Sequence, residues 1–189
     1  SSLVSPDELN GDLLLMESRN SVRNITAHLL EKGCTLPGFM GDIGYAQSNR
    51  ERYEGFCQAL MDAGKTPNPS LCLTTPLGID SYREEIDSFL SSLSRMPDAF
   101  VCASDYVACI LMQLLEKRGL RVPEDVAVSG FDNNIEDLLA ENLTTVQVFN
   151  EELGSRLALQ ILYRIKYPHT PHEVTYLESK VLYRASTGD

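Results

Sequence analysis

The 189-residue sequence has no apolar run near the roughly 18 residues that a membrane-spanning helix requires. Its first residues also lack the basic start and apolar stretch of a signal peptide. No membrane association and no export signal are expected of this chain, and the expected location is cytoplasmic. Positive charge is scarce as well. Lys and Arg total 16 against 27 Asp and Glu, giving a net charge of −11, and the basic residues are scattered. Gripping a nucleic-acid backbone needs clustered Lys and Arg, so the chain by itself is not expected to hold DNA or RNA. Disulfide and metal spacings are missing too. Cys34, Cys57, Cys72, Cys102 and Cys109 form an odd set without a CxxC pair, and most lie in apolar segments. They read as buried thiols in a reducing compartment.

Catalytic signatures are absent. There is no GxSxG elbow, Walker loop, HExxH or strand-following GxGxxG. His28 sits inside an apolar-periodic helix, where a core or surface role is the default. His169 and His172 flank a proline turn and have no Cys or carboxylate partner at ligand spacing. The expectation is a protein that is not an enzyme and carries no metal and no cofactor.

What the sequence does contain is alternation. "SVRNITAHLLEKG" puts Val22, Ile25, Leu29 and Leu30 on one helical face and stops at Gly33. "LPGFMG" follows as a short strand. "SNRERYEGFCQALMDAG" is a second helix with Tyr53, Phe56, Cys57, Leu60 and Met61 inward, and "LCLTT" a second strand. "IDSYREEIDSFLSSL" is a third helix, N-capped by Asp80 or Ser81, with Tyr82, Ile86, Phe89 and Leu93 inward. "AFVCAS" is a strand, "DYVACILMQLLEKRG" a helix apolar nearly all round, and "VAVSGF" the next strand. Strands without polar alternation, each separated by a helix, specify a parallel sheet covered on both faces. The fold class is α/β, a doubly wound parallel sheet. The early "DLLL", and the late "LTTVQV", "NEELGSRLALQILYRIKY" and "EVTYLESKVLYRAS", look like edges of a second layer.

In such sheets ligands bind beyond the C-terminal strand ends. Asp132, Ser104, Asp105 and the loop "GDIGYAQSNR" all fall there. Asp105 opens its helix, where N-capping competes with a ligand role. Arg52 lies on the first turns of its helix, and a solvated or ion-paired arginine competes with a ligand contact. Asp132 could cap a turn in "DNNIED". A carboxylate there could also accept two hydroxyl hydrogen bonds while an arginine opposite donates two, which grips a sugar without chemistry.

"GLRVPEDVAVSGFDNN" resembles the G-x-x-V-P-x-D-V/I-x-V-x-G-F/Y-D-[DN] segment of the lactose and galactose repressor family of bacterial transcription regulators. "ASDYVAC", "NRERYEGFCQALMDAG", "LTTVQV" and "LGSRLALQIL" resemble further segments of that family, in its order. The resemblance implies a two-lobed, periplasmic-binding-protein-like effector core. Residues 1–15 would be a remnant of the N-terminal lobe, and 16–148 the C-terminal effector-binding lobe. Residues 149–178 would return through the N-terminal lobe, and 179–189 would be a terminal strand and tail. It implies a small-molecule effector, a sugar or similar, held by Arg52, Asp132 and Ser104; Asp105, at the same strand end, completes the ligand-binding candidates. A homodimer is also implied, with operator DNA read through a headpiece absent from this chain. An exported sugar-binding protein of a transport system shares the fold and is the alternative; an α/β enzyme that merely shares the sheet lacks a nucleophile and base. Three positions depart from the family pattern. Cys34 replaces a usual His, Met16-Glu17 stands where Asp-Asn is common, and Val148 replaces a frequent polar residue.

Overall fold

The structure, a computed structural model, describes residues 10–78, 80–133 and 141–189. Most of "DNNIED" and the first nine residues of the expected N-terminal-lobe remnant lie outside the described residues. In chain order the elements are β1 (Leu13–Met16), α1 (Arg19–Glu31), β2 (Pro37–Met40), α2 (Gln47–Asp62), β3 (Cys72–Leu73), α3 (Tyr82–Ser92), β4 (Ala99–Cys102), α4 (Asp105–Lys117), β5 (Ala127–Ser129), β6 (Thr145–Gln147), α5 (Asn150–Lys166), β7 (Val174–Leu177) and β8 (Lys180–Leu182).

A four-stranded sheet ordered β3-β2-β4-β5, all pairs parallel, forms the centre. Successive residues of each strand face opposite layers, as the two-residue period of a strand requires. Phe39, Ala99 and Val101 pack with Val22, Ile25 and Leu29 of α1 and Phe56 and Leu60 of α2. Met40, Phe100, Cys102 and Val128 pack with Ile86 and Leu90 of α3 and with α4. Both faces are therefore dry, which is why the strands read as unbroken apolar runs. Beyond β5, bridges Ser129–Thr144 and Asp132–Gln147 lead into β6, which pairs antiparallel with β8.

Some expectations needed correction. "LCLTT" yields only the two-residue β3 at the sheet edge. Met61 points outward at 53% exposure, because the helical phase that buries Phe56, Ala59 and Leu60 turns it to solvent. In α3 it is Leu90 that is fully buried, and Phe89 only partly so. Ser81 takes the N-cap position, but its hydroxyl bonds Glu85 and not the helix backbone.

The chain ends form a second, thinner layer. β1 pairs parallel with β7, and α5 packs on β1 without burying any of its residues. One carboxylate organises this layer. Asp12 accepts from Arg164 Nε at 2.9 Å, from Gln160 at 2.9 Å and from the Glu173 backbone at 3.0 Å. Arg164 also reaches Thr170, so β1, α5 and the loop before β7 share one knot.

At the opposite end of the sheet from the candidate site, Asp98 accepts from the Cys34 thiol at 2.6 Å and from the backbone of Thr35 at 2.7 Å and Leu36 at 2.9 Å. Burial pushes the Asp98 pKa up, but these hydrogen bonds outweigh it and hold it below the usual carboxylate range. Burial and the Asp98 carboxylate push the Cys34 thiol far up, which favours its protonated form as donor to Asp98.

Two outcomes follow from this packing. A methyl on Gly55 would stand 2.2 Å from the Arg19 carbonyl oxygen, so only glycine lets α1 and α2 approach this closely. Gly55→Ala is expected to cost about 1–3 kcal/mol, read as a lowered urea midpoint with an unchanged slope. Because the Asp98 pKa is depressed on folding, its contribution is present above the unfolded-state value and lost as pH falls through the acid range. Asp98→Asn should lower stability at neutral pH by about 1–3 kcal/mol, and the gap to the native chain should narrow on acidification in pH-dependent denaturation.

Candidate functional site

Arg52 is the centre of the site. The loop after β2 turns back sharply at Asp42, whose carboxylate accepts from the Gly44 and Tyr45 backbones at 2.8 and 3.0 Å. That turn starts α2, and Arg52 leaves its inner face at 8% exposure. Its guanidinium lies 3.6 Å over the Phe131 ring centroid, donates from Nη1 to the Ala103 carbonyl, and sits 3.5 Å from the Asp132 carboxylate. Its Nε has no hydrogen-bond partner among the described residues. Burial lowers the Arg52 pKa, with the Asp132, Asp105 and Glu51 carboxylates pulling it back. The result is a cation fixed in place with one donor still to satisfy, and an unsatisfied buried donor is costly.

Asp132 stands where β5 runs out. Its backbone donates to Val146 at 3.1 Å, and its φ of 109° lies in the region that favours glycine. Such a conformation costs about 1–3 kcal/mol and marks a position whose side-chain direction is imposed by its surroundings. The carboxylate is 45% exposed, toward the cleft. Desolvation by the cleft walls raises its pKa, and Arg52 works against that rise.

Two cavities meet at this pair. The smaller, about 280 Å³, is lined among others by Asp42, Tyr45, Tyr82, Ser104 and Val107. The larger, about 480 Å³, opens between α2 and the layer of β1 and α5, with Leu13–Met16, Val148, Leu153 and Leu157 on one side. Arg52, Asp132 and Ser48 line both.

The structure thus brings Arg52, Asp132 and Ser104 together and leaves Asp105 out. Ser104 is the N-cap of α4, its hydroxyl accepting from Val107 at 3.3 Å, so Asp105 does not hold the capping position. Asp105 is buried, accepts from Thr145 Oγ1 at 2.6 Å and lines neither cavity. A methyl on Gly130 would overlap its Oδ1 at 2.2 Å. What the structure gives Asp105 is a brace: it ties α4 to β6 beside the strained Asp132.

Sequence reasoning had Ser48 only as part of the loop "GDIGYAQSNR" and missed Glu51. Ser48 stands four residues before Arg52, hence on its face of α2, and that helical spacing was the available signal; Glu51, next to Arg52 in the chain, shares only the lining of the larger cavity, which no spacing foretells. The Ser48 hydroxyl oxygen is buried without a partner among the described residues. Glu51 is buried and accepts from the Gln47 amide at 3.5 Å. Two departures from the family pattern have structural accounts. Glu17 accepts from the Ser21 backbone and hydroxyl, each at 3.1 Å, and so caps α1. Ser21 meets Ser179 at 2.7 Å, which joins two of the chain crossings. Beside Val148, Gln147 supplies the polar group and accepts from Asn133 at 2.5 Å. Among the described residues no group of three or more His, Cys, Asp or Glu could hold a metal ion, and no helix is long and apolar enough to cross a membrane.

Similarity to known proteins agrees with this geometry. The pattern of the periplasmic binding protein-like domain family matches residues 26–187. The HTH-type transcriptional repressor PurR of Aliivibrio salmonicida is 28% identical over 183 residues, covering 96% of this chain and 54% of the relative. The chain therefore spans about half the length of the curated relatives it matches. A solved complex of the transcriptional regulator CelR with cellobiose superimposes with a TM-score of 0.83 at 26% identity, over 93% of this chain and 54% of that one. A LacI family transcriptional regulator from Enterococcus faecium, with bound ribose, gives a TM-score of 0.79 at 24% identity, over 93% and 65%, a likeness of fold. The chain belongs to the periplasmic binding protein-like domain family, in the form found as the effector-binding core of lactose- and galactose-repressor-type regulators.

Proposed function

We propose that this chain is the effector-sensing core of a cytoplasmic, DNA-binding transcriptional regulator, not an enzyme, and that it holds a small hydroxylated ligand, a sugar, between two lobes. The observation that carries this reading is the buried Arg52, stacked on Phe131 with Nε unpartnered, facing the strained Asp132 across the mouths of two cavities. Arg52 donates to a hydroxyl oxygen, Asp132 accepts from adjacent hydroxyls, and Ser104 adds a hydroxyl from the other rim. The cellobiose bound by a related regulator supports a sugar.

In this reading residues 16–148 make one lobe, and residues 1–15 with 149–178 belong to the other. Their connections pass through Glu17, Gln147 and Ser179, where the side-chain hydrogen bonds described above concentrate. A ligand touching both walls favours one lobe orientation by its differential affinity for the two arrangements. In a homodimer that shift changes how two DNA-reading headpieces, lying outside these 189 residues, meet paired half-sites. The net charge of −11 fits a chain that leaves DNA contact to such headpieces. The same architecture serves exported sugar-binding proteins, but the repressor and regulator relatives favour the regulator.

Titration with cellobiose at millimolar concentration, followed by amide NMR shifts of the labelled chain, tests the site. Binding is expected to be weak, because α5 and two strands supply only a thin second wall. Shifts should concentrate at residues 48–52, 103–104 and 132. Arg52→Lys removes the planar fork and its stacking, and Asp132→Asn removes the anionic acceptor; each should weaken binding at least about tenfold. Shifts scattered over the surface, or surviving both substitutions, would reject the assignment.

A further inference from the structure

The charges of the larger cavity do not balance around a neutral ligand. Asp12 borders it, but its carboxylate is already taken by Arg164, Gln160 and the Glu173 backbone. That leaves Glu51 and Asp132 as two carboxylates served by one guanidinium, Arg52, which leans toward Asp132. Glu51 is more than nine-tenths buried, and the Gln47 amide at 3.5 Å is a neutral and distant donor. Arg19, the other cation near it, is bound to Glu54. The wall opposite is the apolar strip of Leu13–Met16, Leu153 and Leu157. Ser48 Oγ and Arg52 Nε, on the same helical face, are buried without partners among the described residues and line the same space. A carboxylate held in such a place is expensive unless a cation joins it.

We propose that Glu51 makes the cleft selective for a sugar-like effector bearing a protonated amine, an amino sugar. This rests on the sugar-binding reading above and adds a second recognition point to it. Asp132 and Arg52 take hydroxyls, Ser48 and Arg52 Nε take ring or hydroxyl oxygens, and Glu51 takes the ammonium. Hydroxyls alone would satisfy hydrogen bonding at Glu51 but leave its charge uncompensated. The groups that set its titration are Arg52, Gln47 and Glu54 on its own helix, Glu17 and Arg19 at the start of α1, and Tyr176 on β7. Burial dominates among them and raises the Glu51 pKa.

The test uses three probes with one ring: D-glucosamine with a charged amine, D-glucose without one, and N-acetylglucosamine with a neutral amide. Each is titrated into the labelled chain by NMR, over an acid-to-neutral range in which the amine stays protonated. Glucosamine should bind at least about tenfold more tightly than the other two, the scale of one charge-assisted contact. Glu51→Gln should erase that advantage, bringing glucosamine to the affinity of glucose measured on the same variant. In the native chain the advantage should shrink as pH falls and Glu51 takes up its proton. A fold check is built in. A carboxyl with raised pKa contributes stability that is lost as pH rises, so Glu51→Gln should raise Tm near neutral pH and lose that gain in acid. Equal binding of all three sugars, or a glucosamine preference that survives Glu51→Gln, overturns the amine assignment and leaves the sugar site standing. If no sugar moves the cleft resonances, the sugar reading falls and this inference falls with it.

Discussion

A guanidinium buried at the end of a parallel sheet has to be held on every side, and much of this molecule is arranged to do so. Phe131 supplies a ring face, Ala103 a carbonyl and Asp132 a carboxylate, and these come from the ends of two neighbouring strands. The strand ends are level because β4 and β5 are in register and β6 continues past them through the Asp132 bridge. Asp105 and Thr145 then fix the segment from the other side. Remove any one of these and Arg52 is a buried charge with too few partners, a far worse state than an exposed arginine.

The same economy explains the use of small residues. Gly55 lets α2 lie against α1 deeply enough for Arg52 to reach across the sheet edge. Gly130 leaves room for the Asp105 carboxylate, and the next residue but one bears the positive φ that turns Asp132 into the cleft. The strain at Asp132 is local and is opposed by a well-packed double-faced core. Such an arrangement suits a binding site whose polar groups must stand ready before a ligand arrives.

The two halves of the cleft differ in kind. One wall is rigid, built on a four-stranded sheet with both faces covered. The other is β1, β7 and α5, held chiefly by the Asp12–Arg164 knot, with apolar side chains such as Leu159, Leu162 and Ile165 exposed. The polar groups of the cleft thus stand on the well-packed wall, and the wall opposite is apolar and buries little. The hydrogen bonds joining Glu17, Ser21 and Ser179 lie where the two are connected, so the crossing is tied and not merely linked by chain.

The sequence by itself determined the α/β class, the covered parallel sheet, the order of helices and strands, and the placing of Arg52, Ser104 and Asp132 at strand exits. All of these rest on local periodicity and on turn chemistry, which neighbouring residues carry. Only the tertiary structure decided what each polar group at those exits meets. Asp105 and Ser104 are adjacent in the chain, yet one is drawn under the sheet edge by Thr145, forty residues away, while the other faces a cavity. Glu51 sits on α2 like any helix acid, and only the fold buries it and sets it in the lining of a cavity shared with β1 and α5. Burial and partnership come from segments distant in sequence, and they decide whether a carboxylate caps, braces or binds.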